Sequence, residues 1–289
     1  MKKERNSSIE MLRILAMLGI VIMHTNGAVM EHGSGTGFAW TQIENGIFNA
    51  GVSIFVLISG YFGIRRSTQK LIELESTVIL YAVLSALVGC YFGKASILSI
   101  IKAFIPVSTN CYWFISCYIL LMIFSPYINR AIDSMSELQH RQLLLLMSAV
   151  FLVAPTVIYY SVLGVGKNVI NMLLLYFLGS YIRKYSLDER FDKKSLLKIL
   201  IATTALNVLL NSLISIATGG KPHIPFARDC SVFIVIEAAA LMMFFMKVEF
   251  HFINRVAKHV FAVYLFEGAL RQIVQNIVFD YSIYEGEWY

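Results

Sequence analysis

The chain has 289 residues, 57% of them hydrophobic and 15% charged, with a mean hydropathy of +0.68. That balance excludes an ordinary soluble globular domain and points to an integral membrane protein. The net charge of +6 is met by loops at a membrane surface, so no nucleic-acid partner is expected.

The run Ser7-Ser8-Ile9-Glu10 reads as a capping box that opens the first helix. Apolar segments follow at 9–29, 46–63, 77–92, 112–128, 143–164, 168–182, 196–217, 229–246 and 259–278. They predict an all-α polytopic bundle of about nine transmembrane helices. The stretch Ile97 to Pro106 is too short to cross and suits a re-entrant or interfacial helix. No internal repeat, low-complexity tract or linker divides the chain, so one membrane domain over 1–289 is expected. Cys90, Cys111, Cys117 and Cys230 show no metal-ligand spacing and are read as free thiols, with no metal site expected.

Orientation follows from the basic residues, because loops rich in Lys and Arg resist translocation. With the N-terminus in the cytoplasm, the inner segments collect Lys2, Lys3, Arg5, Arg65, Arg66, Lys70, Arg130, Arg141, the run from Arg183 to Lys198, Lys247, Arg255 and Lys258. The outer ones hold Lys94, Lys102, Lys167, Lys221 and Arg228. The stretch Arg183 to Lys194 reads as a solvated cytoplasmic charge run. The N-terminal segment has no small-x-small cleavage site and is interrupted by Arg13 and His24, so it is expected to stay attached.

Those two residues are the main chemical signal. A charged residue at mid-bilayer costs about 2.5 to 3.5 kcal/mol on insertion scales, so an ionisable group inside a span is read first as functional. Eleven residues at about 100° each come to about three full turns, which stacks Arg13 and His24 on one helix face about 16 Å apart. One face thus carries a guanidinium and an imidazole at two depths. Two readings fit: an enzyme handling a phosphorylated or acyl group, or a transporter with an ion relay. The structural alternative has Arg13 bonding the carbonyls of a neighbouring helix.

Five segments, in order, resemble the bacterial acyltransferase-3 family of multi-span membrane enzymes. The run from Arg5 through Arg13 to His24 is similar to its Arg-x10-His signature, and Phe55 to Phe62, centred on Ser59 and Gly60, to its Phe-x-x-Ser-Gly-Tyr segment. Cys111-Tyr112-Trp113 through Tyr118 to Ser125-Pro126-Tyr127-Ile128-Asn129 resembles its tryptophan-led fourth span. Leu178-Gly179-Ser180-Tyr181-Ile182-Arg183 and Phe261-Ala262-Val263-Tyr264-Leu265 resemble two later landmarks. Two positions depart from the pattern. Lys70-Leu71-Ile72-Glu73 stands where relatives carry Arg-x-x-Arg, and Phe266-Glu267 follows Tyr264-Leu265 where many have a histidine. The family usually has ten spans, so a last one is expected to be missing from this chain.

The resemblance implies an O-acyltransferase in the bacterial cytoplasmic membrane. Acetyl-CoA, or another acyl-CoA, would be the donor substrate, with no permanently bound cofactor, and a hydroxyl of a cell-surface or lipid-linked glycan would be the acceptor. On this reading His24 is the catalytic base. Arg13 anchors a donor phosphate, with Arg65, Arg66 and Lys70 as further donor-binding candidates, and Ser59, Gly60, Trp113, Tyr118 and Glu267 as candidates for lining the site. Ser59 is weighed as an acyl carrier against simple packing, and Trp113 and Tyr118 against span-end aromatics. The rival reading is a transporter or flippase of a glycolipid or anion, using Glu237, Glu267, Arg271, Asn207 and Asn211. There Glu267 and Arg271, four apart on a helix, simply neutralise each other.

Overall fold

The computed structural model describes residues 6–27, 36–158, 164–219, 223–250 and 254–278. Among them every regular element is helical. In chain order these are α1 (Ser7–Thr25), α2 (Thr36–Phe48), α3 (Gly51–Phe62), α4 (Thr68–Tyr91), α5 (Ile97–Ala103) and α6 (Trp113–Ser134). There follow α7 (Glu137–Ser148), α8 (Val169–Lys184), α9 (Lys193–Ala217), α10 (Val232–Met246), α11 (Asn254–Ala257) and α12 (Val260–Ile273). A π turn over Ala149–Val153 prolongs α7 into Ala154–Ile158. Pro155 explains the wide turn, because its ring cannot sit under the carbonyl of a regular α-turn.

Among the described residues six stretches are long and apolar enough to cross a bilayer: Ser7–Thr25, Ala39–Phe62, Thr68–Tyr91, Trp113–Ser134, Glu137–Ile158 and Lys193–Ala217. The protein is therefore a polytopic α-helical membrane bundle. Each of the nine apolar segments falls on a helix, but α8, α10 and α12 are shorter, with 16, 15 and 14 residues. The piece from Ile97 is the seven-residue α5, whose Ile97, Leu98 and Ile101 are exposed, as an interfacial helix requires. Exposed Leu80, Leu84 and Leu87 on α4 and Leu206, Leu209 and Leu213 on α9 recur at three- and four-residue spacing. These stripes face lipid in a bilayer.

The start of α1 differs from expectation. Its cap is Asn6, whose Oδ1 accepts from the N–H groups of Ser8 and Ile9 at 3.0 and 3.2 Å. One residue of shift releases Glu10 from a capping box, and Glu10 turns inward instead. The helix also ends earlier than the apolar run, at Thr25, where the N–H of Asn26 closes on Ile22 O at 3.0 Å.

The centre of the bundle is the crossing of α3 and α8. A Cβ at Gly60 would collide with the carbonyl oxygen of Tyr176, and one at Gly179 with that of Leu57. Two backbones can meet this closely only where both lack side chains. Val56, Leu57 and Ile58 of α3 and Leu174, Tyr176 and Ile182 of α8 are fully buried around the contact. Tyr176 OH accepts from Ile64 N at 2.8 Å and donates to Asn129 Oδ1 at 2.7 Å, while Asn129 Nδ2 reaches Ile64 O at 2.9 Å. The chain leaving α3 is thus held from α8 and α6 together.

The charge run that begins in the last turn of α8 is not simply solvated. Arg183 donates to Tyr61 O and Phe62 O, the last carbonyls of α3, at 3.1 and 3.2 Å. Lys184 Nζ does the same for α6 through Ile132 O at 2.6 Å and Met135 O at 2.9 Å. Cations at helix C-termini meet both the orphan carbonyls and the helix dipole.

Candidate active site

Two cavities lie along α1. The larger, about 590 Å³, is lined by His24 and Glu267 with Trp113, Lys167 and Asp229. The smaller, about 350 Å³, is lined by Arg13 and Glu10 with Ser59, Tyr118 and Lys258. Ile20, Val52, Phe114 and Tyr264 belong to the walls of both. These apolar residues stand between the two cavities, and the Phe114 and Tyr264 rings meet edge to face with centroids 5.8 Å apart. A third hollow of about 730 Å³ continues from His24 and Asp229 past Arg228 and Arg271. Arg13 and His24 therefore open onto two cavities with wall residues in common.

Neither residue is buried in the way the apolar run suggests. The Arg13 and His24 side chains are 31% and 45% exposed, because both look into cavities and His24 stands in the last turn of α1. Among the described residues Arg13 pairs with no carbonyl of a neighbouring helix, and its partner is Glu10, at 2.9 Å one turn away. That ion pair neutralises the guanidinium within its own helix and leaves its other donors open to an anion.

His24 is oriented from the far end of the sequence. Its Nδ1 lies 2.7 Å from Glu267 Oε1, and Glu267 Oε2 lies 3.2 Å from Arg271 Nε. Arg271 also donates to the main-chain oxygen of His24. Glu267 and Arg271 do pair along their helix, yet the carboxylate serves His24 with its other oxygen. With Nδ1–H donating to Glu267, the lone pair of the ring stays on Nε2, the arrangement a general base requires.

The remaining candidates divide. Ser59 Oγ donates to Phe55 O at 2.8 Å and lies 3.2 Å from Tyr118 OH, so serine and tyrosine form one hydroxyl pair on the wall of the Arg13 cavity. Trp113 opens α6 on the wall of the His24 cavity, and Lys167 Nζ sits 5.9 Å from the centre of its ring. Gly60 lies in the α3–α8 contact and lines neither cavity. Arg65, Arg66 and Lys70 are exposed and are in neither wall.

Glu237, Asn207 and Asn211 are buried elsewhere, between α9 and α10. Asn211 Nδ2 donates to Asn207 Oδ1 at 2.7 Å, and its Oδ1 accepts from Phe226 N at 3.0 Å. This cluster ties α9 to the loop before α10 and touches none of the three cavities.

Lys258, Lys167 and Asp229 are wall residues that inspection of the sequence does not pick out. Lys258 and Lys167 read there as topology charges. A usable signal exists only for α12, where Phe261, Tyr264 and Glu267 recur every three residues and so share the cavity-facing side. The four cysteines are free.

No curated protein and no solved structure matches the chain. A family model described as an acyltransferase domain matches residues 6–288, and the chain belongs to that acyltransferase-3 family.

Proposed function

We propose that this membrane acyltransferase moves an acetyl group from acetyl-CoA, bound from the cytoplasmic side, to a hydroxyl of a cell-surface or lipid-linked glycan. The observation that carries the reading is the placement of Arg13 and the His24–Glu267 pair in two neighbouring cavities that share a wall. With the N-terminus inside, as the basic loops indicate, the Arg13 cavity faces the cytoplasm and the His24 cavity faces outward.

Arg13 and Lys258 hold phosphate oxygens of the donor, Arg13 through the donors its pairing with Glu10 leaves open. The pantetheine arm threads past Phe114 and Tyr264, since the roughly 16 Å between Arg13 and His24 along the helix is within its extended reach. At the far side His24 Nε2 takes the proton of the acceptor hydroxyl while its oxygen bonds to the thioester carbonyl carbon. The carbon–sulfur bond then breaks, the electron pair leaves on sulfur, and the proton returns from His24 to the thiolate. Glu267 holds the ring in one orientation and meets the charge that develops on it, and Arg271 holds Glu267. Ser59, bonded to Phe55 O and Tyr118, shapes the donor cavity and carries no acyl group.

The test uses purified protein in lipid nanodiscs with acetyl-CoA labelled in the acetyl group. Release of CoA with transfer of label to sugar hydroxyls, lost in His24→Ala, is expected. Wild-type turnover in that variant overturns the assignment of the base.

A further inference from the structure

Asp229 sits in the turn before α10 and is 5% exposed, yet it lines both the His24 cavity and the hollow that continues from it. Its carboxylate takes no hydrogen bond and makes no ion pair among the described residues, and Lys167, on the same wall, is the cation that acts on it. The turn is fixed. Asn171 Nδ2 donates to Asp229 O at 3.1 Å, Ser231 N to Arg228 O at 2.8 Å, and Gly166 packs directly against the backbone of Cys230. A buried carboxylate held rigidly without donors is costly, and a site keeps one where a ligand brings the donors.

Three ligand chemistries could supply them. A metal ion wants several donors, and no group of three His, Cys, Asp or Glu side chains that could hold one exists among the described residues. An ammonium group would meet Lys167 on the same wall, and Arg228 and Arg271 where the hollow continues, while the other carboxylate there, Glu267, is already engaged by His24 and Arg271, so like charge disfavours it. Hydroxyl groups meet neither objection, and a carboxylate accepts from two of them at once.

We infer that Asp229 is an acceptor-binding residue. Its carboxylate receives hydrogen bonds from hydroxyls neighbouring the one that His24 deprotonates. The acceptor it selects is polyhydroxylated and neutral or anionic, with no ammonium at that position, and Lys167 favours an acidic sugar over a neutral one. This rests on the acyl-transfer reading for what happens to the bound hydroxyl, but the binding step is separable from it.

The experiment therefore measures binding without donor. Full-length protein in nanodiscs is titrated calorimetrically with N-acetylglucosamine, glucuronate and glucosamine. Wild type is expected to bind the first two, glucuronate more tightly, and glucosamine at least tenfold more weakly. Asp229→Asn should weaken both favoured sugars at least tenfold, and Lys167→Met should weaken glucuronate selectively. Unchanged affinity in folded Asp229→Asn, preference for glucosamine, or no binding by wild type each overturns the inference. If Asp229→Asn does not assemble, Asp229→Glu displaces the carboxylate by one methylene. A drop of threefold or more there supports the site, and wild-type affinity overturns it. Acetyl transfer by wild type is measured alongside: absence of turnover with sugar binding intact removes the proposed function and leaves the Asp229 site standing.

Discussion

Helix α3 presents two faces that obey different rules. Toward α8 it offers Gly60 and a wall of fully buried side chains, and the backbones touch. Toward α1 and α6 it offers Val52, Phe55 and Ser59, at three- and four-residue spacing, to an open cavity. The Ser59-Gly60 pair at its end thus splits between the tasks, Ser59 toward the cavity and Gly60 toward the crossing. Adjacent residues in one motif can therefore be read together as a landmark while only one of them is near the chemistry. The dry face tolerates no added atom. The open face tolerates substitution structurally and shows it in activity.

The largest effect is expected where the backbones meet. Gly60→Val places a β-branched side chain against the Tyr176 carbonyl, and neither backbone can retreat without separating α3 from α8. Overpacking commonly costs about 1 to 3 kcal/mol where side chains can adjust. Here they cannot, so no monodisperse protein should be recovered by size-exclusion chromatography in detergent. A folded, active Gly60→Val would show that the crossing is looser than described.

On the open face, His24→Ala should lower acyl transfer by about 10² to 10⁴ with the melting temperature little changed. Glu267→Gln should lower it less, by about tenfold to a hundredfold, because the ring keeps a neighbour but loses its charged partner. The diagnostic is their combination: the double variant should be no worse than His24→Ala alone, since Glu267 acts only through the ring. Multiplying losses would mean that Glu267 touches substrate itself.

Donor anchoring ranks next. Arg13→Lys keeps the charge and loses the planar fork, so affinity for acetyl-CoA should fall about tenfold, and Lys258→Ala should produce a comparable loss. Acetyl-pantetheine, which lacks the nucleotide, should bind weakly to wild type and be indifferent to either change. Equal losses with both donors, accompanied by a lower melting temperature, would make Arg13 a structural residue paired to Glu10.

Much of this was legible before the structure because helices write local periodicity into sequence. Among the described residues each of the nine apolar segments falls on a helix, and the stacking of Arg13 above His24 follows from eleven residues of rise. Boundaries were less legible. The fourth helix begins at Thr68, well before the apolar run at 77, since Ser67 caps it and Lys70 and Glu73 ride exposed on its first turns. Partners across the bundle were not legible at all. Glu267 meets His24 from 243 residues away, and Asp229 is distinguished by what it fails to touch, which only packing reveals. In sequence Arg183 and Lys184 read as part of a solvated charge run because cation-to-carbonyl capping leaves no periodic trace. The expected absence of a last span concerns residues outside those described.

The smallest effect should come from Arg65 and Arg66, which the resemblance offers only as further donor-binding candidates. They follow α3 at the end that bears Ser59, and they are outside the wall of the Arg13 cavity. Both are exposed. A charge so placed acts on a nucleotide through water, where attraction between exposed groups is worth about 0 to 1 kcal/mol and is screened over about 8 Å at physiological salt. The double substitution Arg65→Ala, Arg66→Ala should therefore weaken acetyl-CoA only a few-fold at low salt, chiefly by slowing association, and the difference from wild type should vanish near 0.5 M NaCl. Arg13→Lys should keep most of its deficit at that salt, because its loss is one of geometry inside a cavity. A salt-insensitive loss of tenfold or more in the double variant would place the donor phosphates on Arg65 and Arg66, and would move the anchor from inside the cavity to outside it.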